Sequence, residues 1–120
     1  MNALSLLHEE IATACPRIHK VRLNALMDAT EALCYYQKAT LTGLGRTLTT
    51  KEKTKHCIKR MDRLLGNTIL HKERATIYQV MVNRLIGAEK APLVLVDWSQ
   101  INEESGFHIL RASLPMGDVR

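Results

Sequence analysis

The apolar residues of this chain change period once, and that change sets the limits on its fold. From Leu4 to Ile86 they recur at three- and four-residue spacing, which marks helices that bury one face. From Leu93 to Val96 they run unbroken, bounded by Pro92 before and by Asp97-Trp98-Ser99 after. Such a run reads as a strand covered on both faces. Glu103-Glu104-Ser105-Gly106 then reads as a turn. Phe107 to Leu114 reads as a second strand, antiparallel to the first and ended by Pro115 and Gly117. The expected layout is a mainly α region over residues 1–88 followed by a strand-bearing segment over 89–120.

Within the helical part, Leu4, Leu7, Ile11 and Ala14 or Cys15 share one face of a helix over 4–15, which Pro16 stops because it lacks the N–H and clashes with the preceding turn. A longer helix is expected over 19–38, with Leu23, Leu26, Met27, Thr30, Leu33 and Cys34 along one side. Gly43 and Gly45 limit residues 41–48 to a short helix of modest stability. Thr49 followed by Glu52 has the capping-box spacing, and Gly66 supplies a stop, so a helix is expected over 50–65. Cys57, Ile58, Met61, Leu64 and Leu65 form its apolar arc. A last helix over 71–86 buries some of Ile77, Tyr78, Met81, Val82 and Leu85 and ends at Gly87.

A chain of 120 residues, 46% hydrophobic and 24% charged, has the makings of one ordinary globular core. No apolar stretch approaches the ~20 residues that span a bilayer, so no membrane partner is expected. The first residues carry no cation ahead of their apolar positions and soon meet Glu9 and Glu10, unlike a signal peptide. Cys15, Cys34 and Cys57 are widely spaced and odd in number, which argues against a disulfide framework and for a reducing cytoplasm.

Charge is concentrated. Between residues 46 and 74 stand nine cations (Arg46, Lys51, Lys53, Lys55, Lys59, Arg60, Arg63, Lys72, Arg74) and three acids (Glu52, Asp62, Glu73), a surplus larger than the net +5 of the whole chain. A block of this kind points to a polyanionic partner. Lys51, Lys55, Lys59 and Arg63 follow one another at i+4 along the expected helix, flanked by Lys53 and Arg60. The short helix and the basic one have the outline of a helix-turn-helix, whose second helix enters the major groove. The plainer alternative is a basic face that lies in water, although solvated helices usually mix signs so that i,i+4 pairs form. Such a face would contact mainly phosphates, with Arg46, Lys51 and Lys55 best placed to reach base edges.

Other chemistry finds little support. His8, His19, His56, His71 and His108 are scattered, and no CxxC or HxxxH spacing makes a zinc site with Cys34 or Cys57. Gly43-Leu44-Gly45 lacks the Lys-Ser/Thr end and the preceding strand of a phosphate loop. Asp97 has two readings. It caps the following turn through Ser99 and Gln100, or it is a Mg²⁺ ligand, since this hard cation prefers carboxylate oxygens. Two-metal chemistry needs further acids brought close, and Glu103, Glu104 and Asp118 are poor partners on their placement in the sequence.

The segment Thr47 to Asn67, with Lys55-His56-Cys57-Ile58-Lys59-Arg60-Met61-Asp62-Arg63-Leu64-Leu65-Gly66-Asn67, closely resembles the N-terminal region of bacterial insertion-sequence transposases. The branch is the cut-and-paste DDE group that includes the transposase of the tetracycline-resistance composite transposon. His71-Lys72-Glu73-Arg74, Val94-Leu95-Val96-Asp97-Trp98-Ser99 and Leu110-Arg111-Ala112-Ser113 extend the resemblance to about Leu114. It implies a helix-turn-helix-like DNA-binding region over 1–88, then the first two β-strands of an RNase H-like α/β core over 89–120. Asp97 matches the first acid of the catalytic triad, which in the intact family holds Mg²⁺ for DNA cleavage and strand transfer.

The implied partner is double-stranded DNA at the terminal inverted repeats, with full-length transposase as a further partner and a nucleoid-associated, cytoplasmic location. Arg46, Lys51, Lys55, Lys59, Arg60 and Arg63 are the expected DNA contacts, from helix geometry. Met116-Gly117-Asp118-Val119-Arg120 departs from the pattern, and the second Asp and the Glu of the triad are missing. The expectation is a truncated transposase that binds transposon ends and does not nick them with Mg²⁺ or Mn²⁺. The alternative is a non-catalytic regulator that occupies those ends and inhibits transposition.

Overall fold

The structure, a computed structural model, describes residues 2–102, 104 and 106–115. Among them are five helices and one two-stranded antiparallel sheet: α1 (Ala3–Ala14), α2 (Lys20–Tyr36), α3 (Leu41–Thr47), α4 (Thr54–Leu65), α5 (Thr68–Ile86), β1 (Leu95–Gln100) and β2 (His108–Ser113). The expected segment at Met116–Arg120, where the resemblance ends, lies outside the described residues, as do Glu103 and Ser105 of the expected turn. No helix among the described residues is long and apolar enough to cross a membrane. The chain divides into two compact units, Met1–Asn83 and Arg84–Arg120.

In the first unit the helix ends are capped locally. Asn2 Oδ1 accepts the Ser5 N–H at 2.9 Å to open α1, and Thr40 Oγ1 accepts the Gly43 N–H at 3.2 Å to open α3. Asn67 Oδ1 accepts the Leu70 N–H at 2.9 Å at the start of α5. Each satisfies an amide that the first turn leaves unpaired. The helix over 50–65 starts later than its capping-box spacing predicts. Thr50 Oγ1 takes the Glu52 N–H at 3.2 Å in a tight turn, and Lys53 occupies the N-cap without a side-chain bond. Thr49 and Glu52 therefore do not cap α4, and Lys51 stands on the loop instead of the helix.

Two apolar clusters hold the unit together. Ile11, Cys15, Ile18, Leu23, Met27 and Ile77 join α1, α2 and α5; Ala32, Leu44, Met61 and Leu64 join α2, α3 and α4. Leu26 and Leu70 pack against both. Toward the second cluster α2 turns Ala25, Ala29 and Ala32, spaced i, i+4, i+7, so its last turns face inward through alanines. Leu33 and Cys34, expected on the buried side, are consequently exposed. Leu65 is also exposed, one step beyond the arc of Cys57, Met61 and Leu64 that α4 buries. In α5 only Ile77 is buried; Tyr78, Met81, Val82 and Leu85 are exposed.

The glycines of α3 serve packing. A Cβ on Gly45 would stand 2.7 Å from both Cα and N of Ile58, and one on Gly43 would overlap the Tyr36 ring. The backbones of α3 and α4 approach closely because no side chain intervenes. An Arg22–Glu73 pair bonds α2 to α5 through two contacts, Nε to Oε2 at 3.1 Å and Nη2 to Oε1 at 2.6 Å. This fork geometry is the stronger form of an ion pair.

The second unit holds the hairpin. Its strands pair antiparallel, Leu95 with Ser113 through Gln100 with His108. β1 begins two residues later than the apolar run and continues through Asp97, Trp98 and Ser99, so Asp97 lies within the strand instead of ending it. Alternation is present after all. Val96 and Trp98, with Ala112 and Leu110 opposite, make an apolar face; Leu95, Asp97 and Ser99, with Ser113, Arg111 and Ile109 opposite, make a mixed one. Neither face is covered: Val96, Trp98 and Leu110 are each more than 60% exposed. This corrects the expectation of a strand buried on both sides, since two strands paired only with each other bury little apolar surface.

Candidate nucleic-acid interface

On α4 the 100° advance per residue separates two faces. Cys57, Met61 and Leu64 point into the core, and Lys55, Lys59 and Arg63 lie on the opposite side, all exposed. From Lys55 to Arg63 the helix rises ~12 Å, and an α-helix of this length fits a B-DNA major groove. Lys53 at the N-cap and Lys51 in the preceding loop extend the exposed cations past the start of the helix, and Arg46 is exposed in the last turn of α3. Among the described residues no ion pair engages Arg46, Lys51, Lys53, Lys55, Lys59 or Arg63.

The row expected to run Lys51–Lys55–Lys59–Arg63 thus has three members on the helix, with Lys51 displaced to the loop. Nor is it free of acids. Asp62, exposed, lies seven residues after Lys55 and so on almost the same side. Glu52 borders an open groove with His56, Lys59 and Arg63. His56, which the charge pattern did not single out, therefore belongs to this surface.

Arg60 differs from the rest. Its Nη2 donates to Asp28 Oδ2 on α2, and the guanidinium is only half-exposed. Sequence spacing grouped it with the solvent-facing cations because its partner is 32 residues away. It stands at the border between the basic face and the core.

Asp97 stands in the other unit. Arg111 Nη2 donates to its Oδ2 at 2.6 Å, and Ser99 Oγ donates to the same oxygen at 2.9 Å. The Arg111 hydrogen bond, then that of Ser99, holds the carboxyl below the usual range for an aspartate. Both bonds favour the charged form, so this arrangement persists above the ordinary carboxylate pKa and is lost as the pH falls through the lowered value. These neighbours do not fit Mg²⁺ as they stand. The Arg111 guanidinium on Oδ2 would repel that cation at close range. No group of three metal-binding side chains forms among the described residues.

No family model, curated protein or solved structure matches the chain.

The residues of the segment 71–74 divide between structure and surface. In His71-Lys72-Glu73-Arg74, Glu73 holds Arg22 and His71 Nε2 lies 2.6 Å from the Leu65 carbonyl oxygen at the end of α4. Lys72 and Arg74 are exposed.

Proposed function

We propose that the helical unit binds duplex DNA through the exposed face of α4 and the loop before it. The observation that carries this reading is the set of unpaired, exposed cations on one side of α4 (Lys55, Lys59 and Arg63), prolonged by Lys53, Lys51 and Arg46. Phosphates are the polyanion that such a surface meets at helix spacing, and counterion release supplies the affinity. Lys51, Lys53 and Lys55 cluster at the N-terminal end of α4, where a helix placed in the major groove meets base edges. The six-residue connection between α3 and α4 is longer than that of a tight helix-turn-helix. The arrangement is proposed as a relative of that motif with a wider turn.

The target follows from the resemblance: terminal inverted repeats of an insertion sequence, bound by the N-terminal portion of a DDE transposase. On the same reading the hairpin opens an RNase H-like sheet, with Asp97 in the place of the first acid and its apolar face and strand edges left for further strands. Catalysis would then require Asp97 to exchange Arg111 for other partners, and no step is assigned to the present arrangement.

The test is competition. Labelled duplex ending in an inverted repeat of that branch is bound to the 120-residue chain and displaced by unlabelled repeat or by a scrambled duplex. The repeat should compete at least ~10-fold better, the scale of one or two base contacts. Equal competition removes the repeat preference, and no retention of either duplex removes the DNA-binding reading.

A further inference from the structure

We infer that Arg60 is a positioning residue, which through Asp28 fixes the rotation of α4 and the path of the α3–α4 loop, and that it does not touch DNA. The inference rests on the DNA-binding reading of α4 and assigns a different role to one cation of its basic block. Three observations meet at this pair.

The first is direction. Arg60 lies ~100° round the helix from Lys59 and ~140° from Lys55, on the side that faces α2. There it bonds to Asp28, and the two side chains are 28% and 43% exposed. A guanidinium so placed gives one charge-assisted bond, from Nη2, to the carboxylate, and its charge is compensated in part before any phosphate arrives.

The second is what lies beneath. Asp28, Glu31, Ala32 and Arg60 line a partly open cavity of about 30 Å³ together with Thr47, Leu48, Thr49 and Thr50. The pair therefore sits beside the start of the loop that carries Lys51 and Lys53. The third is how few other polar side-chain bonds hold α4 among the described residues: a long Cys57 Sγ contact of 3.9 Å to the Glu52 carbonyl oxygen of the loop, and the His71 contact with the Leu65 carbonyl oxygen at the far end of the helix. The N-cap of α4 has no side-chain hydrogen bond, and the arc that α4 packs inward is apolar. Apolar contacts are non-directional and fix the rotation of a helix less sharply than a hydrogen bond does. The Arg60–Asp28 bond is directional, and a roll of ~20° would shift the outer ends of Lys55 and Lys59 by a few ångströms.

The test separates a contact from a prop by the sign and salt dependence of its effects. Binding of a mixed-sequence DNA duplex of about two helical turns is measured by fluorescence anisotropy over a salt series. The proteins are the wild-type chain, Arg60→Gln, Asp28→Asn, the double variant, the exchange Asp28→Arg with Arg60→Asp, and Lys59→Gln as the reference contact. Arg60→Gln and Asp28→Asn should each weaken binding by about threefold to fivefold, and the double variant should be no worse than either. The exchange should recover most of the loss. The slope of log K against log salt should stay at the wild-type value in all of these, whereas Lys59→Gln lowers it by about 0.9.

A slope lowered in Arg60→Gln as in Lys59→Gln would overturn the inference. So would tighter binding by Asp28→Asn, the result expected if the acid merely held a phosphate ligand back. Amide exchange over Leu48–Lys53 in the free chain gives a reading without DNA. It should quicken in Arg60→Gln and Asp28→Asn and not in Lys59→Gln. If the wild-type chain retains no duplex, the DNA-binding reading fails, and the exchange comparison alone decides the positioning role. Unchanged exchange then overturns it. Should Arg60→Gln fail to fold, Arg60→Lys, which keeps charge but not the fork, should show the same quickened exchange to a smaller degree.

Discussion

Reversing Lys55, Lys59 and Arg63 together, each to Glu, should weaken duplex binding at least ~100-fold at 0.1 M salt while leaving the fold intact. The three lie along the exposed side of α4, and none has an ion-pair partner among the described residues. Binding loses three phosphate contacts and gains three repulsions at the centre of the proposed interface. Stability should hardly change. Glu and Lys have similar helix propensity, and surface substitutions away from caps and networks stay within about ±0.5 kcal/mol. A negative charge at Lys55 favours the N-terminal end of the helix dipole and one at Arg63 disfavours the C-terminal end, so these effects oppose each other. The check is anisotropy for binding, with circular dichroism and thermal melting for the fold. A triple variant that binds duplex as the wild type does would move the interface away from α4.

The second large effect concerns the scaffold that presents that face. Gly45→Ala should destabilise the helical unit by about 1–3 kcal/mol, the usual range for overpacking. The sign is opposite to helix propensity, by which Ala in place of Gly gains about 1 kcal/mol. The clash decides because the added methyl meets backbone: Cα and N of Ile58 both at 2.7 Å. To relieve it α3 must lift from α4, which opens the Ala32, Leu44, Met61 and Leu64 cluster. Gly43→Ala should cost less, since what it meets is the ring of Tyr36, a side chain at the exposed end of α2 that is able to swing away. Gly66→Ala, whose methyl would find only the Asp62 carbonyl oxygen at 3.5 Å, should be close to neutral. Urea melts of the three variants test this order. Equal effects at 45 and 66 would mean that the close approach of α3 and α4 is not what holds them.

Much of the helical layout was legible because it depends on local rules. Pro16 ends α1, the i, i+3, i+4 spacing outlines α2 and α5, and Gly66 is the C-cap of α4. The errors lie where a distant partner outweighs a local preference. Thr49 and Glu52 have the spacing of a capping box, but the turn closed by Thr50 leaves the chain extended to Lys53, so α4 opens at Thr54. Gly43 and Gly45 signal a weak helix by propensity alone. Their purpose, admitting Tyr36 and Ile58, is written in residues 7 and 13 positions away. In β1 the apolar run masks the alternation that begins at Val96, and Ser99 and Gln100 continue the ladder instead of forming a turn.

The candidate site divides the same way. The exposure of Lys55, Lys59 and Arg63 is legible from spacing, because it follows from the helix itself. The bond of Arg60 to Asp28 is not legible there, because nothing nearby in the sequence marks Asp28 as its partner. Likewise the bond of Asp97 to Arg111 depends on the hairpin register, which pairs positions 14 residues apart.

The central claim, that exposed cations of α4 and its loop bind DNA by its phosphates, is tested most directly by the salt dependence of wild-type binding to duplex. With four to six of Arg46, Lys51, Lys53, Lys55, Lys59 and Arg63 engaged, log K should fall against log salt with a slope between about −3.5 and −5.5. A slope near zero, or no measurable binding at low salt, would contradict it.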